Sequence, residues 1–242
     1  FQSIAVLYLD NLSSDTKNEN LCSAITNGIT TSLSRLGIFD VKARTDVLKF
    51  RKKVTSHSEI NEILGVDAYI EGSLIESENE FFADIQLIDA RNGNNIWANR
   101  FKKTANEILD IPQLIAADVS RALTGENKIE LTSTLDDAVS NNTNSFSLLG
   151  EGINLLDSGE YDKSIEIFDS VLVSEPDNKH AIYSKGQAFE NMGNYAAALK
   201  YYELITPDEK ISTRLDKIWH HPELEESDDI EYYEKFLTSE QL

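Results

Sequence analysis

Phe81–Lys103 reads FFADIQLIDARNGNNIWANRFKK. Phe81, Ala83, Ile85 and Leu87 are apolar, and Asp84 and Gln86 between them are polar. That period of two predicts a strand with one buried face. Asn92-Gly93 tolerates positive φ, so a turn is expected there and a second strand from Ile96. A three-residue loop, Asn92–Asn94, places Arg91 opposite Asn95. Asp84 then faces Lys102, Gln86 faces Arg100 and Ile85 faces Phe101. A two-residue loop would set Ile85 against Arg100 and mix the faces, so the three-residue loop is the prediction. Trp97 is expected on the buried face as the hairpin's largest apolar contribution.

Upstream, Ser3–Leu9 (SIAVLYL) is apolar on both faces, which suits a central strand covered on both sides. A helix follows over about 19–36, with Leu21, Ile25, Gly28, Ile29, Ser32, Leu33 and Leu36 on one stripe. Gly37 is its expected C-cap. Phe39–Arg44 reads as a second strand. Ser56–Glu59 fits a capping box before a two-turn helix ending at Gly65. Val66–Leu74 alternates, giving a third strand, and Ser77–Asn79 turns into the hairpin. Downstream, Thr104–Glu107 is another capping box, and Asp110 is expected to cap a helix that carries Pro112 and stops at Gly125. The order β-α-β-α-β-β-β-α predicts an α/β domain over residues 1–125. Its mixed sheet should be parallel near the start and antiparallel at the hairpin.

The 242-residue chain carries a net charge of -20, and the acids are unevenly placed. Residues 126–242 hold 9 Lys/Arg against 25 Asp/Glu, while residues 1–125 hold 13 against 17. Such acidity repels phosphate backbones and argues against nucleic acid as a partner. The basic group Arg44, Lys49, Arg51, Lys52 and Lys53 lacks interleaved aromatics and reads as a solvated face. No apolar run approaches the roughly 20 residues of a membrane helix. Cys22 is the single cysteine, which excludes an internal disulfide and a multi-cysteine metal site; it reads as a small buried side chain. The chain begins with Phe, so it is expected to be a piece of something longer.

Residues 126–144, rich in Ser, Thr and Asn, read as a linker, with a short helix around Leu131–Val139. Beyond it a repeat begins. Gly152 and Gly186, Gly159 and Gly193, Tyr161 and Tyr195, Ser164 and Ala198, and Phe168 and Tyr202 are each 34 residues apart. Period and pattern resemble the tetratricopeptide repeat (TPR). Two repeats are expected over 145–206, with Pro207 shortening the second. A degenerate third helical pair, acting as a cap, is expected over 207–242. The fold class is therefore α/β followed by an all-α helical repeat.

The N-terminal segments SIAVLYLDNLSSDTKNENL, VDAYIEGSL and ADIQLIDARNGNNIWANRFKK together resemble the TolB-amino-terminal-like domain. Tyr8 departs from the pattern, since relatives carry Pro before a Phe-like position. The resemblance implies a place beside TPR repeats in a bacterial regulator whose upstream part is a cyclase, kinase or winged-helix domain. It also implies a membrane anchor upstream and a location on the periplasmic side, with the cytoplasm as the alternative. None of those upstream activities is carried by residues of this chain.

The chemical motifs are weak. Ser14–Lys17 matches Ser-x-x-Lys but stands in a turn without partner motifs. His57, His180, His220 and His221 lack metal-ligand spacing, and the acidic run 223–234 lacks a calcium loop's central glycine. No glycine-rich phosphate loop is present, and Asp136-Asp137 belong to the linker. No catalytic residue, metal or cofactor is expected. Binding is the remaining function. The first helices of successive TPR units line a groove, to which unit one would offer Phe146, Leu149, Ile153 and Leu156, and unit two His180, Tyr183, Gln187, Glu190 and Asn191. For Phe146 and Leu149, packing on the neighbouring domain is an equal alternative. The groove lacks a set of Lys/Arg, so a basic or apolar protein or peptide segment is the expected partner. The alternative function is a small-molecule sensor binding near Asp10–Ser14, at the end of the first strand. Nucleic-acid contact through Lys49–Lys53 is a weaker third reading.

Overall fold

The computed structural model describes residues 1–53, 55–78, 80–125, 140 and 142–205. The helix expected at 131–139, the third helical pair, the Asp136-Asp137 pair and the acidic run 223–234 lie outside those residues.

Strand β1 (Ser3–Val6) is central, as its two apolar faces require. It runs parallel to both neighbours, β3 (Asp40–Val41) and β4 (Ala68–Ser77). The antiparallel strands β5 (Glu80–Asp89) and β6 (Asn95–Thr104) extend the sheet in the order β3-β1-β4-β5-β6, and β2 (Asp10–Asn11) pairs with β4. Ile4 and Val6 face the helices α1 (Asn18–Arg35) and α4 (Ile111–Thr124). Ala5 and Leu7 face the other layer, built from Val47 of α2 (Arg44–Val47), Phe50, and Ile60 and Leu64 of α3 (His57–Leu64).

Three local readings are corrected. The hairpin register differs by two residues: Asp84 stands opposite Arg100, Gln86 opposite Ala98, and Ile85 opposite Asn99. The shift is even, so each side chain keeps its face, but Ile85 now meets Asn99 and Gln86 meets Ala98. The turn is wider because Asp89 organises it. Its carboxylate accepts from the Arg91 backbone and guanidinium and from the Asn92 side chain, and its backbone bonds to Asn94 and Gly93. Trp97 shares the inner face with Leu87 and Phe101 but, on an edge strand, is only half-buried. The second strand is two residues long, and Arg44 begins a helix instead of ending a strand. Asp110 is in helical geometry and makes no cap bond; Glu107 accepts from the backbone and hydroxyl of Thr104 before α4. Ser56 does cap α3, accepting from the Glu59 N–H, and Gly65 ends it at positive φ.

Two helical pairs follow, α5 (Thr143–Asp157) with α6 (Tyr161–Ser174) and α7 (Lys179–Asn191) with α8 (Tyr195–Glu203). Their internal packing is the same. A Cβ at Gly152 would collide with the Phe168 ring, and one at Gly186 with the Tyr202 ring. Both rings are fully buried. Asn142 and Asn178 cap α5 and α7, accepting from the Ser145 and Ala181 N–H groups. The shorter α8 ends before residue 204, in keeping with the shortened second unit.

Sequence composition separates the two halves, but packing does not. One continuous core runs from the sheet through α1 into α5 and α6. Helix α1 is therefore buried well beyond its predicted stripe, with Ser23, Ala24 and Thr26 also inaccessible. Gly150 marks the closest approach: a Cβ there would overlap the Asn20 carbonyl oxygen of α1.

Candidate functional site

Helices α5 and α7 occupy equivalent places in their pairs, so residues 34 apart take equivalent positions. Phe146, Leu149 and Ile153 are 0% exposed and Leu156 is 3% exposed, all within the shared core. They therefore line no open groove: Phe146 and Leu149 follow the packing alternative, and the groove reading of Ile153 and Leu156 is corrected. Their counterparts in α7 are His180, Tyr183, Gln187 and Glu190, all polar or amphipathic. The first three line a cleft of about 260 Å³ between α7, α1 and the segment Val41–Thr45. Glu190 instead accepts from the Tyr202 hydroxyl at 2.6 Å, and Asn191 is exposed at the last position of α7. Tyr183 packs against Tyr202 with ring centroids 5.5 Å apart.

What holds α5 down is polar as well as apolar. Asp157, 4% exposed, is ion-paired with Arg44 and lies 3.3 Å from Arg51. It also accepts from the Tyr8 hydroxyl at 2.6 Å. Arg51 stacks over the Tyr8 ring at 4.6 Å and donates to Asn154 at 2.6 Å. Ser23 donates to Asn154, whose amide donates to Asn20. Burial raises the Tyr8 pKa against the opposing pull of Arg44 and Arg51, so the phenol keeps its proton and remains a donor. Burial also lowers the Arg44 pKa. Tyr8 is thus one of the groups tying the two halves together. The basic run is also reassigned. Arg44 and Arg51 turn inward to Asp157, and Lys52 pairs with Glu19 at 3.4 Å. Those three contacts remove much of the surface a nucleic-acid patch would need.

The lining of the α7 cleft runs against the expected partner charge. It includes Arg35, Lys42, Arg44 and Lys179 and, among the described residues, no carboxylate. A basic segment is therefore disfavoured there, because the α/β domain adds Arg35, Lys42 and Arg44 to the Lys179 of α7. The sequence had no signal for three of them, since Arg35, Lys42 and Arg44 lie more than 130 positions before α7.

A second cleft, about 720 Å³, opens at the end of β1. Asp10, Asn11 and Leu12 line it, as the sensor reading expects, together with Glu71, Asp84, Arg51 and Lys53. Ser13 is held by the Glu76 N–H, which donates to its hydroxyl. Burial, with the nearby Asp10 charge, raises the Glu71 pKa.

No family model matches the chain. Over 130 residues, 54% of its length, it is 29% identical to the protein named "Putative adenylate cyclase 3" of Rhizobium meliloti (strain 1021). The match covers 22% of that protein, so the chain spans about a fifth of its length. Among solved structures, TolB from Acinetobacter baumannii matches 51% of this chain and 28% of its own, at TM-score 0.39 and 16% identity. Lipoprotein GNA1162 from Neisseria meningitidis matches 53% of this chain and 99% of its own, at 0.37 and 19%. The LpoB C-terminal domain from Salmonella enterica matches 42% and 82%, at 0.36 and 16%.

Proposed function

We propose that the chain is a non-catalytic interaction module, in which a TolB-amino-terminal-like α/β domain carries TPR-type helical pairs and presents the face of α7 to a protein or peptide partner. The observation that carries this reading is the contrast across one repeat. The α5 face is apolar and covered by α1, while the equivalent α7 face bears His180, Tyr183 and Gln187 and lines a cleft. A covered face needs apolar residues; a face left for exchangeable contacts needs polar and aromatic ones. The module would serve a larger regulator, and the periplasmic side of a membrane-anchored parent is the location to test. The printed name of the R. meliloti relative contains a cyclase, but none of the site chemistry described above resembles nucleotide turnover.

Two measurements test the proposal. A partner cross-linked to the wild-type chain should be lost from Tyr183→Ala/Gln187→Ala at unchanged melting temperature; retention at wild-type yield would refute the docking face. Purified protein supplied with ATP or GTP and magnesium should release no cyclic nucleotide and no phosphate. The 720 Å³ cleft favours the second reading, a small-molecule sensor. A ligand whose thermal shift is lost on Asp10→Ala and kept in the α7 variants would support it.

A further inference from the structure

Asn-Gly occurs twice in the sequence, as Asn27-Gly28 and Asn92-Gly93. Glycine after asparagine leaves the next backbone nitrogen unshielded by a Cβ and free to swing, so that nitrogen reaches the asparagine's own side-chain amide. The fold treats the two pairs differently. Asn27-Gly28 lies in the interior of α1, where Gly28 is buried and its N–H belongs to the helical ladder. Closing a ring there would break a helix buried in the core shared with α5. Asn92-Gly93 stands in the β5–β6 turn, where every residue from Arg91 to Asn95 is exposed. Three hydrogen bonds hold it. Gly93 N–H donates to the Asp89 carbonyl at 2.8 Å, the Asn92 amide to the Asp89 carboxylate at 3.3 Å, and Asn94 N–H to the Asn92 side chain at 2.8 Å. All three lie within one short exposed loop, which opens at far lower free energy than a core helix. The fold also fixes the glycine: its φ is 73°, and a Cβ there would come within 2.8 Å of the His57 ring.

We infer that Asn92 is a site of spontaneous covalent modification, at which the Gly93 nitrogen attacks Cγ of the Asn92 amide, while Asn27 is protected by its helix. The new N–Cγ bond forms as the Cγ–Nδ2 bond breaks. Ammonia leaves, carrying the proton given up by the Gly93 N–H, and a five-membered imide remains. Water then opens the imide at either carbonyl, leaving aspartate or isoaspartate at position 92. The aspartate product sets a second carboxylate beside Asp89 in place of a hydrogen-bond donor. The isoaspartate product lengthens the main chain by a methylene in the turn that leads into β6, the last strand of the sheet path. Both loosen the turn that Asp89 organises. The inference goes beyond the docking reading and does not require it.

The test is incubation of the full chain in mildly alkaline buffer at physiological temperature, with peptide mapping by mass spectrometry at intervals. A synthetic peptide of sequence 89–95 is incubated beside it as the unrestrained reference. The peptide containing Asn92 should acquire the mass change of an amide hydrolysed to an acid and separate into two products. It should do so at least about tenfold faster than the peptide containing Asn27, whose reaction waits on opening of a core helix. Asn92→Ala should remove both products. Two results would overturn the inference: an Asn92 still unchanged when the reference peptide has fully reacted, or modification at Asn27 as fast as at Asn92.

Discussion

Helices α5 and α7 are built on one template and have opposite fates. Each opens with an asparagine cap and meets an aromatic ring of its partner helix through a glycine. On α5 the outward face carries Phe146, Leu149, Ile153 and Leu156, and α1 buries all four. On α7 the same positions carry His180, Tyr183, Gln187 and Glu190. The lesson is that repeat membership fixes the helix-pair geometry, while the residues facing outward state whether a neighbour is already in place. In these two units the hydrophobic face is wholly buried in the shared core, while the polar one is covered less completely, with His180 and Gln187 8% exposed and Asn27 of α1 lying 3.3 Å from His180.

The sharpest way to break that comparison is to place the same charge on both faces. Leu149→Asp should cost about 5 kcal/mol or more, combining a lost core side chain with a buried charge. Tyr183→Asp, one repeat later, should cost about 1–3 kcal/mol, as for a partly buried aromatic packed on Tyr202. Denaturant melts of the two variants check this, and equal losses would mean the faces are not different. Next in size is Asp157→Ala, which leaves Arg44 and Arg51 buried without their shared acid. A loss of about 3–5 kcal/mol is expected, with Tyr8→Phe far milder. Gly150→Ala should cost about 1–3 kcal/mol by pushing α5 off α1. Hydrogen exchange should then quicken on both helices, while Gly125→Ala perturbs only the end of α4. The smallest effect concerns acid. The Arg91 bonds, chiefly, hold the Asp89 carboxyl down at about 2. A depressed folded-state value stabilises above the ordinary Asp pKa of about 3.9, and that stability drains away as pH falls toward 2. Asp89→Asn should lower the plateau above pH 5 and flatten the fall below it, so that variant and wild type converge as pH approaches 2.

Much of the sheet was legible because periodicity and burial coincide. Ser3–Val6 needed two covers and has them, and Phe81–Leu87 needed one inner face. The hairpin register was not legible: Asn92-Gly93 signalled a turn, but the width is set by side-chain bonds to Asp89, which leave no periodic trace. The 34-residue spacing gave the two helical pairs, but the Gly152–Phe168 and Gly186–Tyr202 contacts inside each pair emerge only from the structure. Half of the candidate groove was misplaced because a groove was assigned by position within the repeat alone. Reading Phe146 against His180, and Leu149 against Tyr183, would have flagged the covered half. The cations of the cleft could not have been found that way. Arg35, Lys42 and Arg44 reach it only through the docking of α1 and α2 beside α7, a long-range arrangement that local sequence does not encode.

Gly150 has a consequence for how the molecule can be divided. Because α5 meets the backbone of α1 directly at Gly150, severing the chain anywhere in 126–142 would strip Phe146 and Leu149 bare on one fragment and Ala24 and Ile25 on the other. Each fragment would then be the other's preferred ligand, and co-expressed halves should find one another and restore the whole.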